Sequence, residues 1–465
     1  MTITVERRLR VARRQDDCFR YLADFSTCEQ WDPGVARADK RTPGSVRVGS
    51  EFDLQLRVLG RRVPMHYELV AMAPAQRLLL RGEGEGFAVR DEIRFTALED
   101  RVTEIHYRAD MDLRAVPRAV RGMLRSWCER IGDAAMQGLE RALVADAVIA
   151  RGAEATLAER LLLPAATQFT RFGYAAMPTR GLSRFVDGRR IAITGATGGL
   201  GLAMAQLLAR QGAQLLLIGR GRERLQAAVR AIEDFAGPTA IETFEAELSL
   251  IGECHRVAAA LAARTSTLDV LINNAGVLPT QRIDTAEGHE LALAVNLLAP
   301  YTLTRALLPQ LQAAQGRVIN VVSGGLYLQP LRLDDLQFST RAYDGAKAYA
   351  QAKRALLVMT QRWAADRQHS ALGYHAMHPG WAATPGVANS LPGFARAMGS
   401  LLRDARMGAD TAVWLATHPA LGGPQHRGGF WFDRQLRPDA VLPGTAVSAA
   451  DGEALQRWLR KTCGL

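Results

Sequence analysis

One run of residues narrows the possible folds more than any other. Arg190-Ile191-Ala192-Ile193-Thr194 reads as a short buried strand and passes directly into Gly195-Ala196-Thr197-Gly198-Gly199-Leu200-Gly201, after which residues 202–210 read as helix. A glycine turn between a strand end and a helix start leaves backbone N–H groups unpaired at the positive end of the helix dipole, where an anionic pyrophosphate is stabilised. The glycines let such a group approach the backbone closely. From about residue 188 the chain repeats strand–helix units, so the fold expected there is an α/β, Rossmann-type, doubly wound parallel sheet. The next strand, Gln214-Leu215-Leu216-Leu217-Ile218, ends in Gly219-Arg220. An acid at that place would take ribose hydroxyls. A forked guanidinium suits a 2′-phosphate instead, so Arg220, helped by Arg222, points to NADP(H).

The first 147 residues follow a different rule. Phe52, Leu54, Leu56 and Val58 share one strand face, with Asp53, Gln55 and Arg57 on the other, and Ile105, Tyr107, Ala109, Met111 and Leu113 repeat the pattern. A long helix follows with Val120, Leu124, Trp127, Ile131 and Ala135 on one stripe. A curved sheet and a long helix enclose apolar space. Asp91 falls on the apolar parity of Phe87, Val89, Ile93 and Phe95, which is read as a strand irregularity rather than a carboxyl aimed into a cavity. At 465 residues the chain exceeds one ordinary core. The expected organisation is an α+β domain over 1–147, a connector over 148–187 and the α/β domain with a C-terminal extension over 188–465. The aromatic stretch Gln168-Phe169-Thr170-Arg171-Phe172-Gly173-Tyr174 of the connector is expected to pack on one of the two.

Thr194-Gly195-x-x-x-Gly199-x-Gly201 resembles the glycine turn of the short-chain dehydrogenases/reductases, and other elements of that family follow in order. Glu247-Leu248 resembles its acid–leucine pair beside adenine, although aspartate is commoner there. Asn273-Asn274-Ala275-Gly276 matches its NNAG element, Asn296 its helix asparagine, and His378-Pro379-Gly380 with Thr384 the segment that embraces the nicotinamide. The resemblance covers about residues 188–440 and is nearest the dehydrogenase/reductase member-12-like branch, related to retinol-dehydrogenase-like enzymes. It rests there on Val322-Ser323-Gly324-Gly325, Asp334-Asp335-Leu336-Gln337, Met377-His378-Pro379-Gly380-Trp381 and Phe430-Trp431-Phe432-Asp433-Arg434. It implies NADP(H) contacts from Gly195, Thr197, Gly198, Gly199, Leu200, Gly201, Arg220, Glu247, Leu248, Asn274, Ala275, Gly276, Tyr349, Lys353, Pro379, Gly380 and Thr384. By analogy it implies a lipophilic substrate. Residues 1–147, through Cys18-Phe19-Arg20-Tyr21-Leu22-Ala23-Asp24-Phe25 and Trp31-Asp32-Pro33, resemble the polyketide cyclase/dehydrase-like members of the START-related helix-grip (SRPBCC) superfamily. No catalyst is nominated in that domain.

Passing hydride to a carbonyl leaves charge on oxygen, so a proton donor and a polarising group are needed beside it. Tyr349 and Lys353 lie four apart in a helical stretch and therefore share a face. In the family's pattern Tyr349 handles the substrate proton, Lys353 lowers the tyrosine's pKa and binds ribose, Ser323 hydrogen-bonds the substrate oxygen, and Asn296 holds a water in the proton path. A second Tyr-x-x-x-Lys, Tyr343 to Lys347, lies just upstream. Tyr349 is preferred because a sustained apolar-periodic helix follows Lys353, whereas the earlier pair spans a helix-poor Asp-Gly.

Composition bounds the rest. With 48% hydrophobic and 23% charged residues the chain reads as globular, and no apolar run approaches the roughly 18 residues of a membrane span. The opening residues alternate like a strand and lack a secretory signal's apolar stretch, so a cytoplasmic location is expected. The five scattered cysteines read as reduced thiols. His375 and His378 have no evident third ligand, so no metal site is expected. The net charge of +11 is spread in ones and twos without a basic block, which argues against a nucleic-acid partner; weak contact with anionic lipid stays open. The family resemblance implies pairing of chains through helices. Three functions remain: an NADP(H)-dependent oxidoreductase, which leads; a lipid-binding protein whose dehydrogenase domain senses NADP(H); and a bifunctional polyketide cyclase/ketoreductase.

Overall fold

The computed structural model describes residues 2–11, 15–42, 46–58, 61–99, 102–113, 121–144, 168–175, 186, 188–366, 371–383, 393, 396, 398–418, 421, 427–442 and 444–464. They form two compact units, the first centred on residues 2–144 and the second on 188–464 together with 168–175.

The alternation of the first unit becomes seven antiparallel strands. They are β1 (Thr2–Val11), β2 (Val35–Lys40), β3 (Glu51–Val58), β4 (Arg61–Ala73), β5 (Arg77–Gly84), β6 (Phe87–Glu99) and β7 (Val102–Leu113), arranged β1-β7-β6-β5-β4-β3-β2. Helices α1 (Gln15–Ala23) and α2 (Cys28–Trp31) follow β1, and α3 (Arg121–Val144) follows β7. Phe52, Leu54, Leu69, Leu78, Leu80, Ile93 and Ile105 are buried on one face of the sheet, and Ala135, Leu139 and Leu143 of α3 join the same core. Of the expected helix stripe, Val120 lies outside the described residues, as do the side chains of Leu124 and Trp127.

Asp91 corrects the sequence reading. The ladder runs unbroken through it, opposite Leu80 on β5 and Ala109 on β7, and the irregularity of β6 lies further along, between Ala97 and Glu99. Parity is therefore kept, and the carboxyl is buried on the apolar face.

The second unit carries α4 (Arg171–Ala175), β8 (Arg190–Thr194), α5 (Gly199–Ala209), β9 (Gln214–Gly219), α6 (Arg222–Ala236), β10 (Ile241–Glu245), α7 (Ile251–Arg264) and β11 (Val270–Asn273). There follow α8 (Leu291–Leu293), a π turn (Ala294–Leu298), α9 (Ala299–Ala306), α10 (Leu308–Ala313), β12 (Arg317–Val321), α11 (Gly345–Ala365), β13 (Gly373–Met377), α12 (Ala405–Thr417), β14 (Gly429–Phe432), β15 (Gln435–Arg437) and α13 (Ala449–Cys463). The sheet order is β10-β9-β8-β11-β12-β13-β14-β15, parallel except for β15. β8, β11 and β12 are almost wholly buried, as a sheet covered on both faces requires. The chain winds one way from β8 to β10 and the other way from β11 on, so the carboxyl ends of β8 and β11 flank the switch point at which such sheets bind ligands. All five cysteines are buried thiols. Among the described residues no helix is long and apolar enough to cross a membrane.

Candidate active site

The switch point is held together by the end of β8. Thr194 Oγ1 accepts the backbone N–H groups of Asn274 (2.9 Å) and Ala275 (3.0 Å), and Asn274 Nδ2 donates to the Thr194 carbonyl at 2.9 Å. Gly201, on the first turn of α5, packs so tightly on the Gly195 carbonyl and the Asn274 amide that a Cβ would collide with both. At Gly198, which opens α5 without a side-chain cap, nothing stands within 4 Å of a Cβ position. The unpaired N–H groups of the first turn are thus left with a clear approach. Thr197 and Leu200 belong to this turn, and Thr197 Cγ2 lies against Gly219 at the end of β9. Arg220 comes next, its side chain 56% exposed and 3.4 Å from Glu247. Glu247 Oε1 also accepts the Ser249 N–H at 3.1 Å, and Leu248 is buried beside it.

Four side chains converge on the other side of Gly276. A Cβ at Gly276 would stand 2.8 Å from Asn296 Oδ1 and 3.6 Å from Lys353 Nζ, so both polar atoms face that glycine. Asn296 belongs to the π turn. Its Nδ2 donates to the carbonyls of Val277 and Ala292, both at 2.8 Å, while its buried Oδ1 has no partner. Lys353, fully buried in α11, donates to the Val321 carbonyl at 2.8 Å, and burial pulls its pKa down to about 7. Tyr349, one turn earlier, is hydrogen-bonded to Ser323, which follows β12 and begins a short 3-10 turn. Burial pushes the Tyr349 phenol up to about 12, the Ser323 hydrogen bond acting the other way. The expected lowering of the tyrosine by Lys353 is not found in the protein by itself: the ammonium is spent on a carbonyl, and Nζ lies over the ring, 5.7 Å from its centroid. The favoured form is a neutral phenol, which is a proton donor.

The upstream pair has different partners. Tyr343 donates to Glu290 Oε1 at 2.8 Å, and the Glu290 carboxylate in turn caps α8 by accepting the N–H groups of Ala292 and Leu293. Asp344 is the N-cap of α11, which begins at Gly345, and Lys347 pairs with that Asp344 at 3.1 Å. The unfavourable Asp-Gly is therefore a helix start.

The segment after β13 forms the remaining wall. His378 is stacked on Phe432 (4.1 Å between centroids) and accepts the Gly380 N–H through Nδ1. Burial, with Arg403 and Arg437 nearby, holds its pKa well below the ordinary value, so it is neutral. Pro379 and Gly380 follow; Thr384 lies outside the described residues. Arg403 is buried against Gly380, forks onto Asp433 (2.6 and 2.8 Å) and donates to the carbonyls of Gln168 (2.6 Å), Phe169 (3.0 Å) and Thr170 (3.2 Å). Phe169 thereby meets His378 edge-on at 4.9 Å and lies beside Gly324, the residue after Ser323.

This geometry agrees with what the chain resembles. Residues 189–393 match the family model of the short chain dehydrogenases, and residues 2–144 match that described as polyketide cyclase / dehydrase and lipid transport. Dehydrogenase/reductase SDR family member 12 of Bos taurus is 40% identical over 272 residues, which is 58% of this chain and 84% of that one. The chain belongs to the short-chain dehydrogenase/reductase family. The Homo sapiens protein of the same description is 36% identical over 294 residues, 62% of this chain and 92% of that one. Retinol dehydrogenase 13 of Homo sapiens is 32% identical over 200 residues, 43% of this chain and 60% of that one. Members of the family use NAD(P)(H), and the chain is a short-chain dehydrogenase/reductase enzyme carrying a polyketide cyclase-like domain.

For a short-chain dehydrogenase/reductase, one contribution was only half visible in the sequence: the aromatic stretch 168–174 packs on a domain as expected, but its place in the site was not foreseen. Residues 168–170 precede the first Rossmann strand yet wall the site, tied by Arg403 across more than two hundred residues of chain. No local pattern announces such a contact. The surviving signal was compositional, an aromatic cluster in an otherwise irregular connector.

Proposed function

We propose that the chain is an NADP(H)-dependent oxidoreductase that interconverts a carbonyl and an alcohol on a lipophilic substrate, which its first unit binds or selects. The observation carrying the reading is the hydrogen-bonded Ser323–Tyr349 pair with Asn296 Oδ1 and Lys353 Nζ directed to the same glycine. The residues present fit the dinucleotide: uncapped N–H groups with a clear approach at Gly198, a glycine at 276 where a Cβ would crowd the catalytic amide, and an exposed cation at Arg220. The Gly195–Gly201 turn would hold the pyrophosphate, Glu247 and Leu248 the adenine end, Arg220 the 2′-phosphate, and Lys353 the ribose. When bound, the dinucleotide supplies or accepts the hydride.

The chain's own groups do the rest. A neutral Tyr349 donates its proton to the substrate oxygen as negative charge grows there, and the Ser323 hydroxyl donates a second hydrogen bond to that oxygen. Asn296 Oδ1 is the acceptor left over for a water that returns the proton, and Lys353 orients the same path. Buried walls keep bulk water from this exchange. The lipophilic substrate is supported by the retinol dehydrogenase relative and by the apolar cavity of the first unit. NADPH and NADH consumption against short and long-chain ketones and aldehydes tests the reading. Turnover of long-chain ketones with NADPH is expected; no turnover of any carbonyl with either dinucleotide would reject it.

A further inference from the structure

The first unit holds a cavity of about 290 Å³ with almost wholly apolar walls, near the lower end of small-molecule sites. One of its few polar groups lies in the middle of β6. Asp91 is only 3% exposed, shares hydrogen bonds with the hydroxyls of Tyr67 and Tyr107, and leaves Oδ2 without a partner. The arrangement is built into the ladder. Tyr67 on β4 lies opposite Gly82 on β5, and a Cβ there would stand 2.5 Å from Tyr67 Cζ, so the glycine makes room for the ring that reaches Asp91. Phe25 packs on Tyr67 (4.7 Å) and Trp31 on Tyr107 (6.2 Å), which fixes both rings.

Charge decides what could occupy the space. Besides the two tyrosines, the groups facing Asp91 are Asp32, whose Oδ1 accepts the Gly34 N–H at 2.7 Å, and the buried Cys28 thiol; Asp110 acts from β7. The two arginines of the lining are engaged, Arg7 with Asp133 at 2.6 Å and Arg57 with the Pro33 carbonyl at 3.3 Å. An anion drawn into this cavity would give up its hydration to apolar walls, the larger cost, and would lie beside Asp32. Burial holds the proton on Asp91 up to about pH 7, so its O–H is a donor lacking an acceptor. A buried polar atom without a partner is costly, and a ligand oxygen would offset that cost.

We propose that this cavity binds a neutral, largely apolar molecule carrying a ketone or aldehyde oxygen, and that Asp91, held by Tyr67 and Tyr107, donates the hydrogen bond that seats that oxygen. Fatty-acid and phospholipid anions are rejected. The proposal stands on the cavity and holds whether or not its ligand is passed to the dehydrogenase unit.

Calorimetry on the full chain at pH 6, with no dinucleotide present, tests it with three probes of equal chain length: a twelve-carbon methyl ketone, the alkane and the fatty acid. The ketone is expected to bind about tenfold more tightly than either of the others, the gain of one buried hydrogen bond. Asp91→Asn keeps a neutral donor, so it retains the preference over alkane. Asp91→Leu abolishes the preference over alkane, which also places the site in this cavity rather than in the dehydrogenase cleft. Fatty acid binding as tightly as ketone, an unchanged ketone-to-alkane ratio in Asp91→Leu, or binding of none of the probes would each overturn the proposal. NADPH-linked turnover, measured separately, bears only on the dehydrogenase reading.

Discussion

The same carboxyl makes the stability of the first unit depend on pH in a direction opposite to that of a salt-bridged acid. Asp91 titrates near 7 in the folded chain because burial penalises its charge, against 3.8 for the unfolded side chain. Between those values only the native state holds the proton. Folding is therefore favoured at low pH, and the contribution is lost as pH rises through 7. At about 1.4 kcal/mol per pH decade the whole span is worth about 4 kcal/mol, and most of it, about 3 kcal/mol, falls between pH 5 and pH 8. The chain has two units, so a single melting curve would mix them. Hydrogen exchange with mass spectrometry on peptides from β6 and β7, corrected for the intrinsic rate, isolates the relevant sheet. Protection in the native chain should fall by about 3 kcal/mol from pH 5 to pH 8, and Asp91→Asn should leave only the smaller fall due to Asp32, which burial raises to about 6. Protection that rises over this range, or an equal fall in Asp91→Asn, would show that the carboxyl is not held neutral by burial.

Three further outcomes are expected. Tyr349→Phe removes turnover while leaving NADPH affinity, read by fluorescence titration, nearly unchanged, and Tyr343→Phe keeps turnover; the reverse pattern would move the proton donor to Tyr343. Arg220→Ala weakens NADPH by about 1.5–3 kcal/mol, the loss of a charged hydrogen bond, with little effect on NADH; equal losses would refute the 2′-phosphate contact. Arg403→Ala strands the buried Asp433 carboxylate and frees residues 168–170, destabilising the second unit by about 3–5 kcal/mol in denaturant unfolding; a change below about 1 kcal/mol would mean the pair is not closed in solution.

How far the site was legible depended on whether its chemistry is local. The Gly195–Gly201 turn and the face shared by Tyr349 and Lys353 are fixed by backbone geometry over a few residues, so spacing revealed them. Asp91 was misread because period-2 parity gives the side a residue faces but not what lies there. The pairing of its carboxyl with Tyr67 and Tyr107 depends on three strands and on Gly82. Arg403 escaped notice, and the roles of Asp433 and Phe169, both in stretches the sequence singled out, stayed unread, because their contacts join distant stretches of chain. They also alter how the role of the first unit should be tested: a truncated dehydrogenase has to keep residues 168–175, or Arg403 loses its carbonyl partners and a change in activity says nothing about the cavity.

The π turn at Ala294–Leu298 carries its own consequence for engineering. The Ala299 N–H reaches back five residues to the Ala294 carbonyl, so this stretch holds one residue more than a regular helix would. The Asn296 side chain takes the Ala292 carbonyl, four residues back, which an α-turn would have given to the asparagine's own N–H. Deleting a single residue here would restore regular winding and leave every catalytic side chain present. The flanking residues would keep their places, and the turn carrying Asn296 would be the part that changes. A homologue with a complete set of catalytic residues but one residue fewer between Glu290 and Ala299 would, on this view, be an enzyme whose amide points away from its proton path.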